Sequence, residues 1–120
     1  MQVKGYIMSK VKIRLKINDL EEQINGIFHD NYLIFFLNQK KVTLMLKENM
    51  ITMKKMENEH EYTYLKFHPD YPEAYYFFHQ KYPMNIQIDN LQIKPQKMRV
   101  SYRIEEQPFL FEIEYEEGEI

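Results

Sequence analysis

Apolar residues recur at every second position over long stretches of this chain, a period that admits little besides extended strands. Met84, Ile86 and Ile88 are followed by Met98, Val100, Tyr102 and Ile104, and then by Phe109, Phe111, Ile113 and Tyr115. Between them stand Asn85, Gln87, Asp89, Arg99, Ser101, Arg103, Glu105, Glu112, Glu114 and Glu116. Side chains alternate between the faces of a strand, so this pattern describes an antiparallel sheet with one buried and one wet face. No helical period competes with it. The fold class is all-β.

The alternation predicts strands over 8–18, 23–29, 32–38, 41–47, 50–56, 61–67, 74–79, 84–94, 97–105 and 109–116. Asp30-Asn31, Glu48-Asn49 and Glu57-Asn58-Glu59 suit tight hairpins, because Asn and Asp tolerate a left-handed backbone. Pro95-Gln96 and Gln107-Pro108 interrupt the ladder elsewhere, and Asp89-Asn90 reads as a bend or bulge within a long strand. The 120 residues form a single domain, 1–120, large enough for a real core. A single antiparallel meander of about eight to ten strands must curl, since twisted sheets do not stay flat and open edges invite aggregation. Closure into a barrel sets the first and last strands side by side. Lys10, Lys12, Arg14 and Lys16 on the outside of one would then face Glu112, Glu114 and Glu116 on the other.

Composition excludes several functions. There is no cysteine, which removes disulfides, thiolate metal sites and thiol catalysis together. The opening Met1-Gln2-Val3-Lys4-Gly5-Tyr6 lacks the apolar run of a signal peptide, and no segment is apolar enough to span a bilayer. The expectation is a cytoplasmic protein without membrane insertion. Ser9 and Ser101 sit on no sharp turn beside a histidine, and Gly5, Gly26 and Gly118 are too scattered to cradle a phosphate. His29, His60, His68 and His79 lack metal-ligand spacing. Glu105, Glu106, Glu112, Glu114, Glu116 and Glu117 read as a solvated face rather than an acid–base pair. No catalytic residue, metal site or cofactor is therefore assigned, and the chain is read as a non-enzyme. Single-stranded nucleic acid has one argument in its favour, the basic row beside Tyr62, Tyr64, Tyr75 and Tyr76. A net charge of −2 and the opposing glutamates disfavour it.

The aromatic content carries the remaining readings. Phe35, Phe77, Tyr102, Phe109, Phe111 and Tyr115 are expected to point inward, where they either fill the barrel or line a cavity for a small apolar or amphipathic ligand. The loop containing His68, Asp70, Tyr71 and Glu73, with prolines at 69 and 72, is the expected rim. Leu33–Leu37 and Tyr75–Phe78 are apolar on both faces, so Ile34, Phe36, Tyr76 and Phe78 are expected to form an outer patch. Its cover is either a Tyr6-Ile7-Met8 segment or a second copy in a homodimer.

The order of certain segments resembles an uncharacterised bacterial family, the YwiB-like proteins. The segments are Gly26-Ile27-Phe28, Val42–Leu46, Met50–Lys54, Leu65-Lys66-Phe67, Tyr82–Ile88, Met98–Ile104 and Phe111–Gly118. The resemblance implies a calycin-like β-barrel related to lipocalins, and it transfers no site, since the family has no established reaction. It raises the expectation of an internal pocket by analogy of fold. The chain departs from the family at Lys54, where an arginine is usual, at Met84, where a glycine is usual, and at Asn38-Gln39-Lys40, a shortened loop.

Overall fold

The computed structural model describes residues 8–117. Eleven strands follow one another: β1 (Ser9–Ile17), β2 (Leu20–His29), β3 (Tyr32–Leu37), β4 (Lys40–Leu46), β5 (Ile51–Asn58), β6 (Glu61–Phe67), β7 (Glu73–Phe78), β8 (Gln80–Met84), β9 (Ile86–Lys94), β10 (Lys97–Ile104) and β11 (Gln107–Glu117). They form one antiparallel sheet in the order β8-β7-β6-β5-β4-β3-β2-β1-β11-β10-β9. Pairing of β1 with β11 makes this sheet a nearly closed barrel. The proposed cover of the outer patch lies mostly outside the described residues, which include Met8 but neither Tyr6 nor Ile7.

The closing register sets Lys12 opposite Glu116, Arg14 opposite Glu114 and Lys16 opposite Glu112, as the two charge rows require. Arg14 and Glu114 meet at 3.2 Å, while Glu112 lies 3.8 Å from Arg99 on the far side. Such exposed pairs contribute about 0.2–1 kcal/mol each, so they select the register more than they hold the barrel shut. Asn18 extends the closure: its N–H donates to the Leu110 carbonyl, and its side-chain oxygen accepts from the Leu110 N–H.

Eleven strands exceed the expected eight to ten because Gln80–Met84 forms β8. Pro83 hid it, yet β8 stands at the end of the sheet order, where a proline is tolerated. His79, at φ 66°, makes the sharp reversal from β7. β8 and β9 are separated only by Asn85, so Gln80–Lys94 is one path that pairs first with β7 and then with β10. The crossing point is fastened by the Glu105 N–H donating to the Asn85 carbonyl at 3.0 Å, and by the Asn85 N–H donating to Glu105 Oε1 at 3.1 Å.

The register of β9 shifts at Asp89, opposite the Ser101–Tyr102 step. One extra residue lets Ile88 and Leu91 both turn inward, and the bulged Asp89 accepts two hydrogen bonds from Arg103, at 2.8 and 3.1 Å. The two-residue turns Asp30-Asn31, Asn38-Gln39 and Glu105-Glu106 have positive φ at both positions, the twist that tight hairpins favour. Gly26 answers a different need. A Cβ there would lie 2.5 Å from Ile13 Cδ1 and 2.8 Å from the Ile34 carbonyl oxygen.

Gly26→Ala is therefore expected to lower stability by about 1–3 kcal/mol, as overpacking does. A shift in the urea midpoint without a change in slope would confirm it; an unchanged midpoint would mean that β2 moves away at no cost.

Candidate functional site

The barrel is filled unevenly along its axis. In one half Val11, Ile13, Leu33, Leu44, Ile51, Phe67, Met98, Val100 and Ile113 are each no more than 2% exposed. Phe67 is the centre of this packing. Its ring lies 4.8 Å from Tyr102 and 6.4 Å from Phe111, and Tyr102 in turn stacks on Phe109 at 5.4 Å. Beyond this aromatic plug the interior is open. A cavity of about 310 Å³ extends toward the end that carries the β1–β2, β3–β4 and β10–β11 turns.

Leu15, Phe35, Val42, Leu65, Tyr102 and Phe111 line the deeper wall of this cavity, and each is buried. Ile17, Leu37, Met53, Met84, Ile104 and Phe109 form the wall nearer the turns, and are only partly buried. Lys55 and Thr63, direct partners across β5 and β6, also line it. β2 contributes no lining residue, and it pairs with β3 only from Gly26 to His29, so the two strands part beside the cavity.

Three residues that carry polar groups therefore line the cavity: Lys55, Thr63 and Tyr102. Tyr102 is 8% exposed, and burial pushes its pKa up to about 12. It is a neutral hydrogen-bond donor at any ordinary pH. At the rim, Lys40 is paired with Glu57, while Glu61 accepts hydrogen bonds from the Tyr76 hydroxyl and from Asn58 Nδ2. The bond to Glu61 is the main reason that the Tyr76 pKa is raised to about 12.

Phe35, Tyr102, Phe109 and Phe111 face the interior and line the cavity. Tyr115 has the inward register but lies in the closed half, stacked on Phe28 at 5.4 Å. Phe77 corrects the expectation outright. Leu65 pairs with buried Ala74, so the even-numbered residues of β7 face inward and Phe77 faces out. There it stacks on Tyr62, beside Tyr64 and Tyr75. The same parity removes Tyr76 and Phe78 from the outer patch and sets Tyr76 opposite Thr63. Ile34 and Phe36 do face outward, with Phe36 62% exposed, but on β3, several strands away.

The expected rim is also misplaced. β6 passes the cavity at Thr63 and Leu65 and ends at Phe67 in the closed half, so the loop after it opens at the opposite end. His68 has an architectural role there: its Nδ1 accepts the N–H groups of Asp70 and Tyr71, both at 3.0 Å. Tyr71 is exposed beside the His68 ring, and Glu73 lies 3.9 Å from Lys81. The nucleic-acid constellation is not assembled. Tyr62, Tyr64 and Tyr75 share the outer face of β6–β7, whereas the basic row of β1 is paired against β11. Among the described residues, no cluster of three or more His, Asp or Glu side chains is placed to hold a metal ion. No helix of the described residues is long and apolar enough to cross a membrane.

Lys55 and Thr63 were not singled out from the sequence. One signal was present. Adjacent lysines on a strand must face opposite ways, so the Lys54-Lys55 doublet sends one ammonium inward. Lys54 takes the outside, 4.3 Å from the centre of the Tyr62 ring.

Tyr102 generates a pH prediction. Its folded pKa is raised above the unfolded value of 10.0, so its contribution to stability is complete below pH 10 and lost as pH rises toward about 12. Wild type is expected to lose about 2–3 kcal/mol more than Tyr102→Phe across that window. Urea titrations of both proteins at several alkaline pH values measure it, and parallel losses would contradict the burial of the hydroxyl.

No protein-family model matches the chain, and no curated protein does. Among solved structures, the crystal structure of the YwiB protein from Bacillus subtilis matches with a TM-score of 0.59 over 93% of this chain and 91% of that one, at 15% identity. At that identity the likeness is one of fold: this chain and the YwiB protein share a β-barrel architecture.

Proposed function

We propose that this barrel binds a small apolar or amphipathic molecule in its open half. The observation that supports this reading is the uneven filling. A complete aromatic plug at Phe67, Tyr102 and Phe111 stabilises the closed half, so the open half is not needed to complete the core. Its apolar walls remain without a partner over about 310 Å³, at the lower end of the usual range for small-molecule sites. Entry is from the end where β2 and β3 separate. On this reading the chain is a carrier or sensor rather than an enzyme. It is a member of the YwiB-like barrels, in the cytoplasm, with the lipocalin-like use of an interior pocket.

The test is titration with a neutral fluorophore such as N-phenyl-1-naphthylamine. Wild type is expected to bind one molecule per chain at micromolar concentration. Val42→Phe, which places a ring into the cavity from buried β4, is expected to weaken binding at least tenfold while the far-UV spectrum stays that of a sheet. Unsaturable binding, or equal binding by the filled variant, would overturn the reading. It would move the weight to an interaction module using the exposed outer face of Ile27, Tyr32 and Phe36.

A further inference from the structure

Apart from Tyr102 on its deeper wall, the cavity is polar at one place, and the side chain there is cationic. Lys55 has the inward register of Ile51 and Met53 on β5, and it lies directly across from Thr63 on β6. Two carboxylates share this inner rim, and each is already engaged. Glu57 is held by Lys40, and Glu61 by the Tyr76 hydroxyl and Asn58. Lys55 itself has no ion-pair or hydrogen-bond partner among the described residues. A cation beside apolar walls is better satisfied when an anion or a hydrogen-bond acceptor joins it there.

Resting on the reading of the cavity as a binding site, we infer that its ligand is an amphipathic monoanion, a carboxylate with a short hydrocarbon tail. The head lies at the mouth, accepting hydrogen bonds from the Lys55 ammonium and the Thr63 hydroxyl. The tail runs inward between Met53, Met84, Phe35 and Phe111. Thr63 and Lys55 are both donors to such a head, and the engaged glutamates leave no free rim carboxylate to favour a cationic one. One lysine matches one negative charge; a phosphate monoester dianion would leave excess charge beside Glu57 and Glu61. Size limits the tail as well. The plug at Phe67, Tyr102 and Phe111 closes the inner end, so a short tail fits and long-chain acids leave their ends outside.

The experiment is calorimetric titration of the whole chain with octanoate and with 1-octanol, which share a tail and differ in the head. Octanoate is expected to bind about ten- to hundredfold tighter than octanol, the range of a charge-assisted hydrogen bond. Lys55→Met should erase that preference and Lys55→Arg should largely keep it. Lys54→Met, on the outer face, should leave octanoate binding as it is, which separates the site from general surface charge. Equal binding of acid and alcohol by wild type, or a preference that survives Lys55→Met, would overturn the anion assignment and leave the apolar site standing. Failure of both ligands to bind would overturn the assignment and the site together.

Discussion

Seven residue pairs between β1 and β11 convert a meander into a barrel, and everything else in the molecule depends on that seam. Without it Val11, Ile13 and Leu15 would lie on an open sheet face, far from the strands they now pack against. Burying side chains of that size stabilises by about 1.5–3 kcal/mol each, much more than the exposed charge pairs outside. The charges set register; the buried faces supply the energy. A slip of one residue would put the lysines inside, so the two demands enforce the same pairing.

Closure leaves an interior whose cross-section the strands fix, and side-chain volume decides how much of it is filled. The ring of Phe67, flanked by Tyr102 and Phe111, fills it at one level. Nearer the mouth the lining positions hold Met53, Lys55, Thr63 and Met84, which are slender or flexible, while the rings of Tyr76 and Tyr82 pair with each other. The separation of β2 from β3 beyond Gly26 widens the same end. Cavity and plug are thus consequences of one sequence gradient along the barrel axis.

Much of this was legible in the alternation. The strands with clean period-two patterns, β1 and β9 to β11, have the faces that pattern predicts, and the Asp89-Asn90 irregularity is a bulge. Where both faces are apolar, parity held at β3, with Phe35 buried and Phe36 exposed, and failed at β7. Tyr75-Tyr76-Phe77-Phe78 gives no internal signal of which side is inner; the decision falls to Ala74, buried against Leu65. The position of the His68 loop depends on which end of the barrel is hollow, and local sequence does not encode that. Lys55 was missed because an inward lysine contradicts the expectation that charge marks the wet face.

The most direct test is a methyl NMR spectrum of protein labelled at its methionines, recorded as octanoate is added. Met53 and Met84 line the cavity, Met98 is packed in the closed half at 2% exposure, and Met45 is on the opposite face of β4 from buried Leu44. Saturable shifts of Met53 and Met84, with Met98 and Met45 nearly still, are the predicted result. Still signals from Met53 and Met84, or equal movement of all four, would contradict a ligand site in the open half of the barrel.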